Sequence, residues 1–229
     1  QPPTTFGVGL IDRIDEAAIL ANADPEDVDG DGIRGRAHVR TDGRLGRFSW
    51  KGGVPSSEEF MRDALSAEVG LTLPARDGQT LGVTTDADSV ADPELSDADY
   101  DALAFYLALL SAPARVSTDA AAEDRGAAVF EEVGCAACHV PALPTDDGTM
   151  VPLYSDLLLH ETLPAGSPGI PDGAAGPGDF RTPPLWGIGR SAPYMHDGLA
   201  TTLEDSIEAH DGEAAASRTA VSALDAGMR

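Results

Sequence analysis

Five consecutive residues, Cys135-Ala136-Ala137-Cys138-His139, carry the most specific chemistry in this 229-residue chain. Thiols three positions apart face one side of a helical turn. There they can form thioether bonds to the two vinyl groups of a haem, and the histidine that follows can turn onto the iron as proximal ligand. A thioredoxin-like dithiol and half a zinc site are the competing readings. Zinc would need a second ligand cluster, and these are the only two cysteines. A redox dithiol usually follows a strand in a βαβ unit, and no such unit is legible. One covalently bound haem c is therefore the expectation.

Iron held by His139 keeps one axial position open. Met150, His160, Met195, His196 and His210 are the candidate ligands, with Tyr194 a weaker oxygen donor. His210 ends a helical pattern in which Leu203 and Ile207 fall on the same face, so a helix packing those residues on a haem would also aim His210 at the iron. Spacing alone leaves the choice open. Arg181 can pair with a haem propionate through its planar guanidinium, or form a surface ion pair. Trp186 is either an electron relay or a core aromatic. His196 fits a turn beside the haem better than a catalytic role.

A second chemical pattern lies in Asp27-Val28-Asp29-Gly30-Asp31-Gly32. Asp27, Asp29 and Asp31 match positions 1, 3 and 5 of a calcium loop, with Gly32 at the turn position. The twelfth position is His38 rather than a bidentate Glu, and Asx turns alone also explain such a sequence. Calcium here is an open expectation.

The elements that must position these groups read as helices joined by long loops. A short helix is expected at 15–20. Another starts at Ser57 with Ser56 or Ser57 as N-cap, and a third runs from a cap at Ser96 to before Pro113. A fourth covers Asp119 to Gly134 and leads into the haem motif, and a last one runs from about Thr202 to His210. Residues 74–95 and 141–178 read as loop, and 43–53 as a loop anchored by Phe48 and Trp50. No strand pattern of convincing length is present. The expected fold is mainly α: a cytochrome c-like haem domain over 119–229, preceded over 1–118 by a helical and loop-rich remainder of a second domain.

Net charge narrows the partners. At −24, with Lys51 the only lysine, the surface repels nucleic-acid phosphates and anionic membranes. It would steer a basic redox partner at low salt, although a solvated acidic surface suffices to explain it. No apolar run approaches the ~20 residues of a membrane span. Haem c is attached outside the cytoplasmic membrane, so a periplasmic or otherwise extracytoplasmic location is expected. With no signal peptide before Gln1, the chain is expected to be a mature product or a fragment.

Several longer stretches carry a resemblance. Phe6-Gly7-Val8-Gly9-Leu10, Ala23-Asp24-Pro25, Asp29-Gly30-Asp31-Gly32, Tyr154-Ser155-Asp156-Leu157-Leu158-Leu159-His160 and Arg181-Thr182-Pro183-Pro184-Leu185-Trp186-Gly187-Ile188-Gly189 resemble the bacterial di-haem oxidoreductases, a group of peroxidase-like and thiol oxidoreductase-like proteins. Ala192-Pro193-Tyr194-Met195-His196-Asp197-Gly198 and Thr202-Leu203-Glu204 are also similar to the C-terminal haem domain of di-haem cytochrome c peroxidases. The resemblance covers nearly the whole chain. In those peroxidases the distal ligand lies fourteen residues after the His of His-Asp-Gly, which here is His210. It thus implies iron between His139 and His210, saturated and low-spin. The sequence departs from the family in having one haem motif instead of two. The missing motif is expected before Gln1 and the closing helix after Arg229, as in a truncated product, unless the chain is a natural single-haem member.

Three functions follow as expectations. The first is the electron-transfer half of a di-haem oxidoreductase, served by a redox partner protein or a second haem domain. The second is a peroxidase or thiol oxidoreductase acting at this haem. The third is a calcium-stabilised binding module whose cysteine pair is structural.

Overall fold

The computed structural model describes residues 3–225. Helices start where short polar side chains can take up their unpaired amides. Ser56 accepts from the Glu59 amide to open α3 (Ser57–Ala64), Ser96 from Asp99 to open α4 (Asp97–Leu109), and Asp119 from Ala122 to open α5 (Ala120–Glu132). Thr202 and Asp205 form a reciprocal capping box at the start of α6 (Leu203–Ala209). Asp15 caps α2 (Glu16–Leu20). Two further helices, α1 (Val8–Asp12) and α7 (Ala215–Ser222), complete the set among the described residues.

The expectation of a mainly α fold needs correcting. About a third of the chain is helical, and two antiparallel pairs of short strands are present. One pairs β1 (Leu143–Pro144) with β2 (Met150–Val151), and the other β3 (Leu159–Glu161) with β4 (Asp179–Arg181). In the second, Leu159 faces Arg181 and His160 faces Phe180. Strands of two or three residues are too short to leave a period-two pattern in the sequence.

The core draws on residues far apart in sequence. Val8, Ile11, Ile14, Ile19, Leu45, Phe48 and Val54 pack with Leu143, Val151, Leu153, Leu157 and Leu158. Backbone pairings run the same way: Arg36 and Leu159 exchange both amide bonds at 2.9 and 2.8 Å, and Ile14 bridges to Thr145. Phe48, expected as a loop anchor, is a core residue. Buried Arg47 donates to the carbonyls of Ile11 and Ile14 at 3.2 and 2.9 Å and to Glu16, satisfying acceptors at the end of α1.

Since Leu158 is fully buried in this shared core, Leu158→Ala is expected to lower unfolding stability by about 2–5 kcal/mol. Urea unfolding of variant and parent checks this; a loss below about 1 kcal/mol would mean the site collapses around the smaller side chain.

Candidate haem site

α5 ends at Val133, and Gly134 then adopts φ 84°, a left-handed turn that suits glycine. That reversal starts a tight turn over Cys135–Ala137, and the His139 amide donates to the Cys135 carbonyl at 3.0 Å. The chain beyond is zipped to the Tyr154–Asp156 stretch. Asp156 N donates to Cys138 O at 3.0 Å, Ser155 N to Val140 O at 2.9 Å, and Tyr154 N to Pro141 O at 3.3 Å.

This zipper sets the His139 ring. Its Nδ1 lies 3.0 Å from the Tyr154 carbonyl. A carbonyl only accepts, so Nδ1 carries the proton and Nε2 the lone pair. Burial pushes the imidazole pKa down to about 4, partly opposed by the Tyr154 bond, so the ring is neutral at pH 7. Tyr154 itself holds φ 54°, an uncommon conformation for an aromatic residue. Phe130 of α5 packs edge-on to His139, with ring centroids 6.2 Å apart, and edge-on to Tyr154.

His139 faces a cavity of about 1290 Å³, also lined by Cys135, Cys138, Arg181, Trp186 and His210. Ordinary small-ligand sites hold roughly 300–1,000 Å³, so this one suits a large flat group. His210 presents the same arrangement as His139: its Nδ1 lies 2.7 Å from the Ser206 carbonyl, which leaves Nε2 as the acceptor. The two rings are near enough that a charge on His210 disfavours one on His139. Leu203 and Ile207 line the same cavity, two turns and one turn before His210.

The other axial candidates separate. Met150 sits exposed on β2, away from the cavity. Met195 and Tyr194 line the cavity, but Met195 Sδ accepts from Ser206 Oγ at 3.4 Å and Tyr194 donates to the Ile188 carbonyl at 2.9 Å. His196 stacks on Phe180 with centroids 4.2 Å apart, at the cavity wall. His160 lies behind Cys138 with both ring nitrogens engaged: Nε2 is 2.8 Å from Asp156, and Nδ1 is 2.9 Å from Glu213.

Whether the cavity fits a haem is tested by its polar atoms. Trp186 Nε1 and Ser49 Oγ are buried, line the cavity and have no hydrogen-bond partner. Such orphaned groups are rare in folded proteins and call for an explanation. Arg181 is buried beside them, its guanidinium donating to the carbonyls of Ser49 and Thr182 at 2.9 and 3.1 Å. Burial lowers its pKa to about 10, and it remains a cation at pH 7. A group carrying carboxylates on an apolar plane would satisfy all three, as haem does with its propionates.

Elsewhere, the carboxylate oxygens of Asp24, Asp27 and Asp29 lie within 4.8 Å of one another. Asp31 is not in that group; its carboxylate accepts from the Ile33 amide in a local turn. Sequence reading missed Asp24 as a neighbour of the pattern. It also missed the Tyr154 carbonyl and Glu213, since neither a backbone acceptor nor a partner 53 residues away leaves a local signal.

Comparison with known proteins follows the same line. The profile of a family described as "Di-haem oxidoreductase, putative peroxidase" matches residues 2–229. No curated protein matches the chain. Among solved structures, hydrazine synthase of Kuenenia stuttgartiensis, in a xenon-pressurized structure, is 23% identical over 58% of this chain, with a TM-score of 0.38. The match spans 57% of that solved chain, little more than half its length. A likeness this low carries no argument about the site.

The charge on His160 sets a pH response. Burial opposes that charge, but hydrogen bonds to Asp156, Cys138 and Glu213 outweigh it and push the pKa up to about 12. The stability it contributes is complete below the unfolded-state value of about 6.5 and is lost as pH rises towards the folded value. Between about pH 7 and 10, the stability difference between parent and His160→Gln should therefore shrink as pH rises, in urea unfolding curves. A difference that stays flat over this range would mean that His160 is neutral in the fold.

Proposed function

The chain belongs to the di-haem oxidoreductase family, and from that premise we propose that it is the electron-transfer half of such an enzyme, with one haem c between His139 and His210. The family makes haem-linked redox chemistry its general function. The observation that carries the finer reading is the matched pair of imidazoles. Both line one cavity, and both give their Nδ1 proton to a backbone carbonyl, which leaves two Nε2 lone pairs for a metal.

Haem supplies a one-electron Fe(III)/Fe(II) couple when bound. The chain's own residues do the rest. Cys135 and Cys138, free thiols on one turn, are the anchors for thioether attachment. Arg181, Trp186 and Ser49 would be donors for the propionates, which would meet the unpaired hydrogen bonds of Trp186 and Ser49. Phe130, Leu203 and Ile207 form apolar walls that exclude water from the metal. His196, stacked on Phe180, closes the wall without competing for the metal.

On this reading, residues from 119 onwards form a cytochrome c-like unit supported by the N-terminal half. Its electrons pass to a second haem domain or a redox partner protein, in an extracytoplasmic compartment. The described residues contain no helix long and apolar enough to cross a membrane. With His139 and His210 as its ligands, a haem here would carry electrons, and peroxide or thiol chemistry would belong to another centre.

Replacing His210 with alanine tests the assignment. The ferric protein is expected to change from low-spin to high-spin and to gain rapid cyanide binding in its absorption spectrum. An unchanged low-spin spectrum in His210→Ala would exclude His210 as a ligand.

A further inference from the structure

One buried cluster has no part in the chemistry above. His160, 1% exposed, lies between two carboxylates, 2.8 Å from Asp156 Oδ2 and 2.9 Å from Glu213 Oε2. The same Nδ1 lies 3.5 Å from Cys138 Sγ. A ring flanked in this way donates from both nitrogens, and charge-assisted bonds of this kind are among the stronger ones. Glu213 is clamped from further directions: Oε2 also accepts from the Arg34 amide at 2.9 Å, and Oε1 from the Glu161 amide at 3.1 Å.

Glu213 stands three residues after His210. The stretch between them is pressed onto β3 and the residues just after it. The Asp211 amide donates to the Thr162 carbonyl at 2.9 Å. Gly212, at φ 55°, brings its Cα so close to the Glu161 carbonyl that a Cβ there would sit 2.2 Å from the oxygen. An unbroken chain of contacts thus runs from the haem-anchoring Cys138 through His160 to Glu213, and along three residues of backbone to His210.

We infer that His160 and Glu213 are positioning residues that lock His210 to the Cys138 turn and so keep the second axial imidazole from leaving the metal. The two axial histidines come from segments 71 residues apart, and the seven-residue α6 that carries His210 has no buried residue of its own. Without the clamp, the segment keeps the Asp211 amide bond to Thr162 and the apolar contacts of Leu203 and Ile207, but loses its tie to the Cys138 turn. Asp156 completes the device by holding the far side of the His160 ring.

This inference rests on the two-histidine reading, and the test keeps the two apart. Haem-loaded parent and Glu213→Ala are mixed with cyanide in the ferric state, and the rate of binding is followed at the Soret band. The variant is expected to bind at least about tenfold faster, since it loses the charge-assisted bond to His160 together with those from the Arg34 and Glu161 amides. Its haem should stay covalently attached, because the Cys138, His160 and Asp156 contacts remain. Glu213→Gln keeps one acceptor oxygen and is expected between the two; it replaces Glu213→Ala if the latter fails to fold. Hydrogen exchange at the Asp211 amide, which Glu213 does not touch, gives a readout independent of haem and should also quicken. An unchanged cyanide rate overturns the inference whatever the exchange shows. If the parent itself is high-spin, the two-histidine reading falls instead, and Asp211 exchange alone decides whether Glu213 anchors this segment.

Discussion

The site depends first on the hydrogen bond from His139 Nδ1 to the Tyr154 carbonyl. It fixes the tautomer, turns Nε2 to the cavity, and holds the ring of a residue whose neighbours on both sides are committed to backbone turns. Tyr154 can offer that carbonyl only because the 154–161 stretch is itself fixed. Ser155 Oγ donates to the Thr182 carbonyl at 2.6 Å, and Leu157 and Leu158 are buried in the core. Beyond them, Leu159 pairs with both Arg36 and Arg181. One extended segment thus holds the His139 ring, contributes to the core and pairs with both Arg36 and β4.

Charge is distributed in a way that follows from this economy of structure. The chain carries 39 acidic side chains against 15 basic ones, and several of its few cations are used internally. Arg47, Arg62 and Lys51 give their donors to backbone carbonyls at helix ends and loops, and Arg181 does the same at the cavity wall. A backbone acceptor stabilises a guanidinium without a second buried charge to desolvate. His160 differs in being a fully buried imidazolium paired with two carboxylates. It occurs where the two halves of the haem site must be held together. The carboxylates left on the surface give the molecule its strong negative field.

Much of this was legible in the sequence because it is local. Ser56, Ser96, Asp119 and Thr202 open helices by a rule that acts over three residues, and each start was read correctly. The haem motif, too, is complete within five residues. His210 was reached only through the family resemblance, and it lines the same cavity as His139. What escaped was long-range or too short to be periodic. The strands span two or three residues, the His160–Glu213 pair spans 53, and the role of Tyr154 lies in a carbonyl that every residue possesses. The inner face of α4, by contrast, is local too: Tyr100 is buried and Leu103, Ala104, Leu107 and Leu110 are half-buried at helical spacing, while Phe105 and Leu109 face outwards.

At the centre stands the proposed haem held by His139 and His210, each with its Nδ1 facing a backbone carbonyl. Electron paramagnetic resonance of the ferric, unmutated protein tests it most directly. A low-spin spectrum of the type given by two histidine ligands is the predicted result. A high-spin spectrum, or a low-spin one typical of histidine–methionine ligation, would contradict it.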